Sequence, residues 1–177
     1  ESDIDKKFPK DQYYAFVALS YKKMNLSRIK VYEKLKSMNY NFISYVSSKS
    51  SNSKFTHGNN CFILENQTIQ NKVNIGNNVT IWSSNHIGHS TIIKDNTYIS
   101  SHVCIGGRVT IGENCFLGIN SAVSDGINIG KNAFISMGSN VSKNIDEDSI
   151  VIENSSKEIK KIDKLYSKLK NSILKKY

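Results

Sequence analysis

Six-residue periodicity is plainest in residues 75–117, which read IGNNVTIWSSNHIGHSTIIKDNTYISSHVCIGGRVTIGENCFL. Every sixth residue from the first isoleucine onward is a branched aliphatic, and the spacing continues on both sides of this stretch. The whole series has fourteen consecutive members over 84 residues: Ile63, Ile69, Ile75, Ile81, Ile87, Ile93, Ile99, Ile105, Ile111, Leu117, Val123, Ile129, Ile135 and Val141. A helix would repeat apolar residues every three or four positions and a strand every two, so neither explains the pattern.

A second series lies four positions after the first and is mostly small or β-branched. Its members are Val73, Val79, Thr91, Thr97, Val103, Val109, Cys115, Ser121, Ala133 and Ser139, whereas Gln67 and Asn85 break the rule. Gly, Asn, Asp and Ser, which favour turns, fall between the two series. This pattern is typical of short flat segments joined by tight corners, three to a triangular coil. Coils stacked about 4.8 Å apart through parallel hydrogen bonding would make a parallel β-helix of four to five coils.

The segment before the repeats predicts a βαβ unit. Residues 13–19 are predicted as a strand, residues 26–38 as an amphipathic helix and residues 41–46 as a second strand. No G-x-G-x-x-G motif precedes the helix, so a dinucleotide site has no local support.

The chain is therefore predicted to have three parts. Residues 1–54 form a partial Rossmann-like βαβ domain, residues 55–154 the β-helix, and residues 155–177 a C-terminal amphipathic helix. That helix is expected to dock on its own domain, with a membrane surface as the alternative.

Charge and cysteine content narrow the class of protein. The formal charge is +9, but residues 155–177 carry a net +6 from eight lysines and two acidic residues, so the rest of the chain carries only +3. A basic stripe interleaved with aromatic residues is lacking, which argues against nucleic-acid binding. No apolar run is long enough to cross a bilayer. The three cysteines, Cys61, Cys104 and Cys115, lack metal-ligand spacing, and a reduced, cytoplasmic protein is expected.

The four histidines do not predict a metal site. Residues 18 apart share a column of the coil, and no two of His57, His86, His89 and His102 do so. A zinc site shared between subunits, as a carbonic anhydrase would need, stays open as an alternative.

His89 is the strongest candidate for chemistry. It shares its column with Gly107, within the pair Gly106-Gly107, so room for a slender ligand is expected beside the imidazole. A neutral imidazole near pH 7 can take a proton from an incoming amine or hydroxyl. The competing interpretation is a solvated surface histidine.

The hexads, together with NHIGH at residues 85–89 and FLGIN at residues 116–120, resemble the left-handed β-helix sugar acyltransferases. The resemblance covers residues 11–154 and is greatest to the PglD-type and NeuD-type bacterial enzymes. It implies a left-handed coil and a homotrimer with active sites between neighbouring prisms. It also implies transfer of an acyl group, acetyl or longer, from acyl-CoA to the amino group of a UDP- or dTDP-linked amino sugar for surface-glycan biosynthesis, with no metal.

The resemblance also assigns roles to individual residues. His89 takes the place of the catalytic base, and the positions that contact acyl-CoA fall on Tyr98, Gly107, Ile119 and Gly138. Sugar contacts are expected, as neighbours of the base in sequence, at Asn85 and His86.

Three features depart from the family pattern. The acidic residue that follows the catalytic histidine is Ser90 here, and the Gly-x-Pro-Ala-Lys loop is replaced by residues 153–157, ENSSK. The Gly-rich first βα unit is not found before Glu1, so the sugar is expected to be held differently or the unit to be missing from this chain. An O-acyltransferase acting on a sugar hydroxyl, as on sialic acids, and a non-catalytic β-helix module are the alternative functions.

Overall fold

The computed structural model describes residues 4–50 and 54–152, and its main feature is a three-walled parallel β-helix. Seventeen two-residue strands form three sheets, called here the first, second and third walls. Strands of one wall pair in parallel with a register of 18 residues, as in Ile81 with Ile99 and Ile99 with Leu117. The predicted stacking of 18-residue coils is confirmed.

Each wall takes every third strand of the chain. The first wall has seven strands: β1 (Tyr45–Val46), β3 (Phe62–Ile63), β6 (Thr80–Ile81), β9 (Tyr98–Ile99), β12 (Phe116–Leu117), β15 (Phe134–Ile135) and β17 (Ile150–Val151). The second has five: β4 (Thr68–Ile69), β7 (His86–Ile87), β10 (Cys104–Ile105), β13 (Ala122–Val123) and β16 (Asn140–Val141). The third also has five: β2 (Thr56–His57), β5 (Asn74–Ile75), β8 (Ile92–Ile93), β11 (Thr110–Ile111) and β14 (Asn128–Ile129).

The helix is taller than the four to five coils predicted. Strands β1, β2 and β17 extend it beyond the fourteen hexads, so the first wall spans about six turns. The periodicity could not predict these strands, because β17 pairs with β15 after an offset of 16 rather than 18 residues (Ile135 with Val151).

The core consists of the two series found in the sequence. All fourteen members of the first series are buried, none more than 4% exposed, and the ten members of the second series are buried as well. Removing these side chains from water is the main favourable contribution to folding, about 1.5–3 kcal/mol for each large aliphatic.

Corners between walls explain the abundance of asparagine. Every sixth residue from position 60 to position 138 has a positive φ, between 55° and 72°. Asn and Gly tolerate this left-handed conformation best. Seven of the fourteen positions are asparagines: Asn60, Asn66, Asn78, Asn96, Asn114, Asn120 and Asn132.

The two residues that break the second series point inward like its other members. Gln67 is 3% exposed and Asn85 is 2% exposed. Gln67 Oε1 accepts the backbone N–H of Asn85 at 3.1 Å, and Asn85 Oδ1 accepts the backbone N–H of Val103 at 2.6 Å. The Asn85 amide nitrogen also donates to the carbonyl of Trp82. These side chains replace apolar packing with hydrogen bonds to corner backbone.

The N-terminal segment is only partly the predicted βαβ unit. It contains α1 (Ile4–Lys7) and α2 (Leu26–Ser37), and the second agrees with the predicted helix. The predicted strands are wrong in extent, because a single parallel bridge joins Ala15 to Phe42, and β1 pairs with the first β-helix strand instead. Hydrogen bonds to the β-helix replace a ladder within the segment. The division at residue 54 stays a prediction.

Aromatic side chains attach this segment to the first wall. Tyr21 packs on Tyr98 and Phe116, with ring centroids 5.1 and 5.4 Å apart, and Phe16 packs on Phe62 at 5.7 Å. The N-terminal segment therefore covers much of the outer face of the first wall.

The predicted C-terminal helix, residues 155–177, lies outside the described residues. Within residues 4–50 and 54–152, the structure contains no helix that is long and apolar enough to span a membrane.

Candidate active site

His89 lies exposed at the corner where the chain passes from the second wall to the third. An added Cβ on Gly107, one coil away, would lie 2.7 Å from Nε2 of His89 and 3.0 Å from both carbons that flank it. The imidazole therefore lies over the glycine, in the space that the sequence predicted there.

Backbone contacts hold the His89 corner in place. The N–H of His89 donates to Oε1 of Gln70 at 2.8 Å, and its carbonyl accepts the N–H of Arg108 at 2.8 Å. These bonds fix the main chain of His89, while the ring remains at the surface. An exposed imidazole on a fixed backbone has the freedom to meet a substrate and to pass a proton to solvent.

Asp125 completes this column, but it does not take the place of the missing acidic partner. Its Oδ1 accepts the backbone N–H of Gly107. The carbonyl of Gly107 in turn accepts the N–H of Gly126 at 2.9 Å. Since both polar backbone groups of Gly107 are engaged, this residue offers space rather than a free N–H for an oxyanion.

Ile119 and Gly138 come together at a different corner, between the first and second walls. The N–H of Gly138 donates to the carbonyl of Ile119 at 2.9 Å, so they lie one coil apart in one column. Ile119 is 40% exposed, and nothing lies within 4 Å of where a Cβ of Gly138 would be. The second wall thus has His89 and Gly107 along one edge and Ile119 and Gly138 along the other.

His86 lies on the outer face of the second wall, between these two edges. It is half-buried and is paired in register with Thr68 and with the exposed Cys104. Asn85, the residue before it, lies inside the coil with its amide engaged, so the structure favours an indirect role for Asn85 through the His86 backbone.

Tyr98 lies apart from the other predicted site residues. It is on the first wall, is only 5% exposed and stacks on Phe116 with ring centroids 5.4 Å apart. Burial raises the pKa of Tyr98 to about 12, and Tyr21 adds to this, while hydrogen bonds with Ser20 and Trp82 oppose it. The phenol is therefore neutral at physiological pH. One chain does not bring Tyr98 and His89 together, because they belong to opposite sides of the prism.

The described part of the chain contains no cluster of three or more His, Cys, Asp or Glu side chains that could hold a metal ion. His86 and His89 follow one another along one coil and do not stack.

Sequence families agree with the repeats. Residues 72–107 match the bacterial transferase hexapeptide family (six repeats), and residues 108–143 match the hexapeptide repeat of succinyl-transferase. No curated protein has a significant match to the chain.

Solved structures of similar fold include the acetyltransferase domain of PglB from Neisseria gonorrhoeae. It is 15% identical, with a TM-score of 0.79 over 89% of this chain and 76% of that one. The same domain with acetyl coenzyme A gives a TM-score of 0.77 at 16% identity, over 87% and 74%. PerB from Caulobacter crescentus, in complex with CoA and GDP-perosamine, is 18% identical with a TM-score of 0.75, over 85% and 72%. The predicted fold class, a left-handed parallel β-helix of hexapeptide repeats, is confirmed.

Two features near the N-terminal segment escaped the sequence analysis. One is the aromatic column on the first wall, and the other is a buried arginine, Arg28, which contacts the β-helix. The column had a signal, because Phe62, Tyr98, Phe116 and Phe134 each precede a member of the period-six series. Arg28 gave no signal, because an arginine on an amphipathic helix usually lies in solvent.

Proposed function

We propose that this hexapeptide-repeat protein is a CoA-dependent N-acyltransferase that acts on the amino group of a nucleotide-linked amino sugar. The observation that carries the proposal is the imidazole of His89, exposed at a corner and lying over Gly107. The structurally similar PglB domain and PerB bind acetyl coenzyme A or CoA, and PerB also binds GDP-perosamine. Both likenesses support this chemistry on the present scaffold.

The reaction is a transfer between nitrogen and sulfur. The neutral sugar amine attacks the thioester carbonyl, the new C–N bond forms, and the C–S bond breaks with release of CoA. His89 accepts the proton that the amine loses, and the departing thiolate regains a proton. General-base help of this kind is typically worth about 10²–10⁴-fold in rate.

Acyl-CoA lies along the second wall, between its two edges. Ile119 and Gly138 contact it at one edge, and Gly107 makes room for its thioester at the other. His86 contacts the sugar from the wall between them, and Asn85 holds the backbone before His86 through its bonds to Trp82 and Val103.

The complete site is shared between copies in a homotrimer. A copy facing the second wall would close it into a cleft and exclude water from the thioester. It would also allow the first wall of another chain, where Tyr98 lies, to approach His89. Exposed apolar side chains such as Ile92 (45%) and Ile119 (40%) provide surface that three copies could bury around one axis.

The test is release of CoA from acetyl-CoA with UDP-, dTDP- and GDP-linked amino sugars. His89→Asn should lower turnover by about 10²–10⁴-fold. His102→Asn is the matched control, because His102 is also exposed at a corner and has φ 59°, which asparagine tolerates. It should keep full activity.

An unchanged rate for His89→Asn would contradict the role of His89, and no CoA release with any amino sugar would contradict the function. A product whose acetyl group is lost in mild hydroxylamine would identify an ester, and so an O-acyltransferase.

A further inference from the structure

A second cavity lies between the N-terminal segment and the first wall, away from the His89 corner. Its volume is about 140 Å³. Phe16, Phe62, Trp82 and Tyr98 give it a largely apolar lining, while Arg28 and Thr80 contribute polar groups.

Arg28 is buried in this lining without an anionic partner. It is 1% exposed, and its guanidinium donates to three backbone carbonyls, those of Val17, Leu19 and Asn60. Its Nε has no hydrogen-bond partner. Among the described residues no carboxylate pairs with it, so the carbonyls attach the N-terminal segment to the first coil but do not neutralise the charge.

Burial lowers the pKa of Arg28 to about 10, so the group is still cationic at neutral pH. A buried cation without a counter-charge is costly, and a bound anion would remove much of that cost.

Thr80 supplies a second unsatisfied group in the same lining. It is 4% exposed, and its Oγ1 has no hydrogen-bond partner. The Tyr98 hydroxyl, in contrast, is engaged by Ser20 and Trp82. Two uncommitted donors, one of them charged, therefore border a space whose other walls are aromatic.

We propose that this cavity binds a small organic anion with an apolar body, of the class of short-chain carboxylates. The carboxylate accepts hydrogen bonds from Nε of Arg28 and from the hydroxyl of Thr80, and the hydrocarbon part lies against the aromatic rings. Charge-assisted hydrogen bonds of this type are about twice as strong as neutral ones. The site does not depend on the acyltransferase proposal, because it uses neither His89 nor the second wall.

The chain has its own reporter for this site. Trp82 is the only tryptophan in the sequence, and it lines the cavity. Its fluorescence can be followed while the full-length protein is titrated with butyrate, with the neutral butyramide, and with inorganic phosphate. A saturable change with butyrate alone is expected. No response to butyrate, or an equal response to butyramide or phosphate, would overturn the proposal.

Variants separate binding from folding. Thr80→Val keeps the shape of the side chain and should weaken butyrate binding about 5–10-fold, by the loss of one hydrogen bond. Arg28→Gln should abolish binding. Because Arg28 also attaches the N-terminal segment, Ala18→Phe provides a second test, since Ala18 lines the cavity but is exposed at the surface.

Ala18→Phe should fill the cavity and remove the butyrate response, with an unchanged circular dichroism spectrum. Ala122→Phe, on the second wall, is the control and should bind butyrate normally. A folded Ala18→Phe protein that binds butyrate as well as this control would contradict the assignment of the cavity.

Discussion

A Cβ atom on Gly107 would lie 2.7 Å from Nε2 of His89, so the histidine ring lies where any larger residue at position 107 would be. The nearest atoms belong to the far end of a side chain, which can rotate away. An alanine at this position should therefore move the imidazole without unfolding the coil.

Gly107→Ala is expected to lower turnover about 10²-fold with little loss of stability, because small displacements of a catalytic group can cost that much. The measurement is kcat for CoA release beside a thermal unfolding curve. Gly126→Ala is the control, because nothing lies within 4 Å of its Cβ position. Its φ of 71° makes alanine cost about 1–2 kcal/mol of stability, while activity should be retained. Full activity in Gly107→Ala would show that the ring position is unimportant.

Asn85 separates a structural role from a substrate contact. Asn85→Ala leaves the buried N–H of Val103 without its acceptor, and the free energy of unfolding should fall by about 1–3 kcal/mol. Urea unfolding measures this loss. KM for the sugar nucleotide should stay near the wild-type value if Asn85 acts only through the backbone. Asn85→Val matches the residue type found at Val79 and Val103 and serves as the packing control. A large rise in KM in both folded variants would instead indicate a direct sugar contact.

Cys104 should be the only thiol that reacts readily in the native protein. It is exposed on the second wall, whereas Cys61 and Cys115 are 0% and 1% exposed. A bulky thiol reagent should label one cysteine in the folded chain and all three in denaturant, and Cys104→Ser should remove the fast reaction. Saturating CoA should slow the labelling, because the proposed donor lies along this wall. Labelling at the same rate with CoA bound would contradict that placement.

Alkaline pH tests the burial of Cys115. Burial raises the pKa of this thiol from 9.0 to about 11, against the opposing effect of backbone hydrogen bonds at Ala133 and Gly112. A folded-state pKa above the unfolded value means that the unfolded chain loses its proton first. The stabilising contribution is thus complete below pH 9 and is lost as the pH rises from 9 to about 11, by at most about 3 kcal/mol.

Urea unfolding at several pH values would measure this effect. Cys115→Ala should be less stable at neutral pH but should lose less stability between pH 9 and 11 than the wild type. Taking the difference between the two proteins cancels the titration of Tyr98 and Arg28. Parallel curves would show that Cys115 does not titrate as its burial implies.

Much of the β-helix could be predicted because one residue type repeats in one environment. Ile63 and the thirteen positions after it each fill the same inner edge of a wall, so a single period gives the architecture and the 18-residue register. The N-terminal segment has no such redundancy. Its predicted strand at residues 13–19 becomes one bridge at Ala15, because the segment bonds to the β-helix rather than to itself.

The site could be predicted only where residues share a column. His89 and Gly107 are 18 apart, so their contact follows from the register. Tyr98 was assigned by resemblance, and the sequence gives no indication that Tyr21 covers it. Long-range packing of this kind depends on how the N-terminal segment folds back, which no local period records.

Mixed oligomers test whether two chains share one site. If His89 of one copy and Ile119 of another contact the same acyl-CoA, chains with His89→Asn and chains with Ile119→Glu should complement each other. Ile119→Glu places a carboxylate at an exposed corner, where it repels the phosphates of CoA. Each variant alone should be nearly inactive. Random assembly of equal amounts into trimers leaves about a quarter of the sites with both native residues, so co-expression should restore about a quarter of the wild-type activity. If both residues serve a site within one chain, every site in the mixture carries a defect. Activity that stays at the level of the separate variants, in trimers shown by mass spectrometry to be mixed, would contradict the shared site.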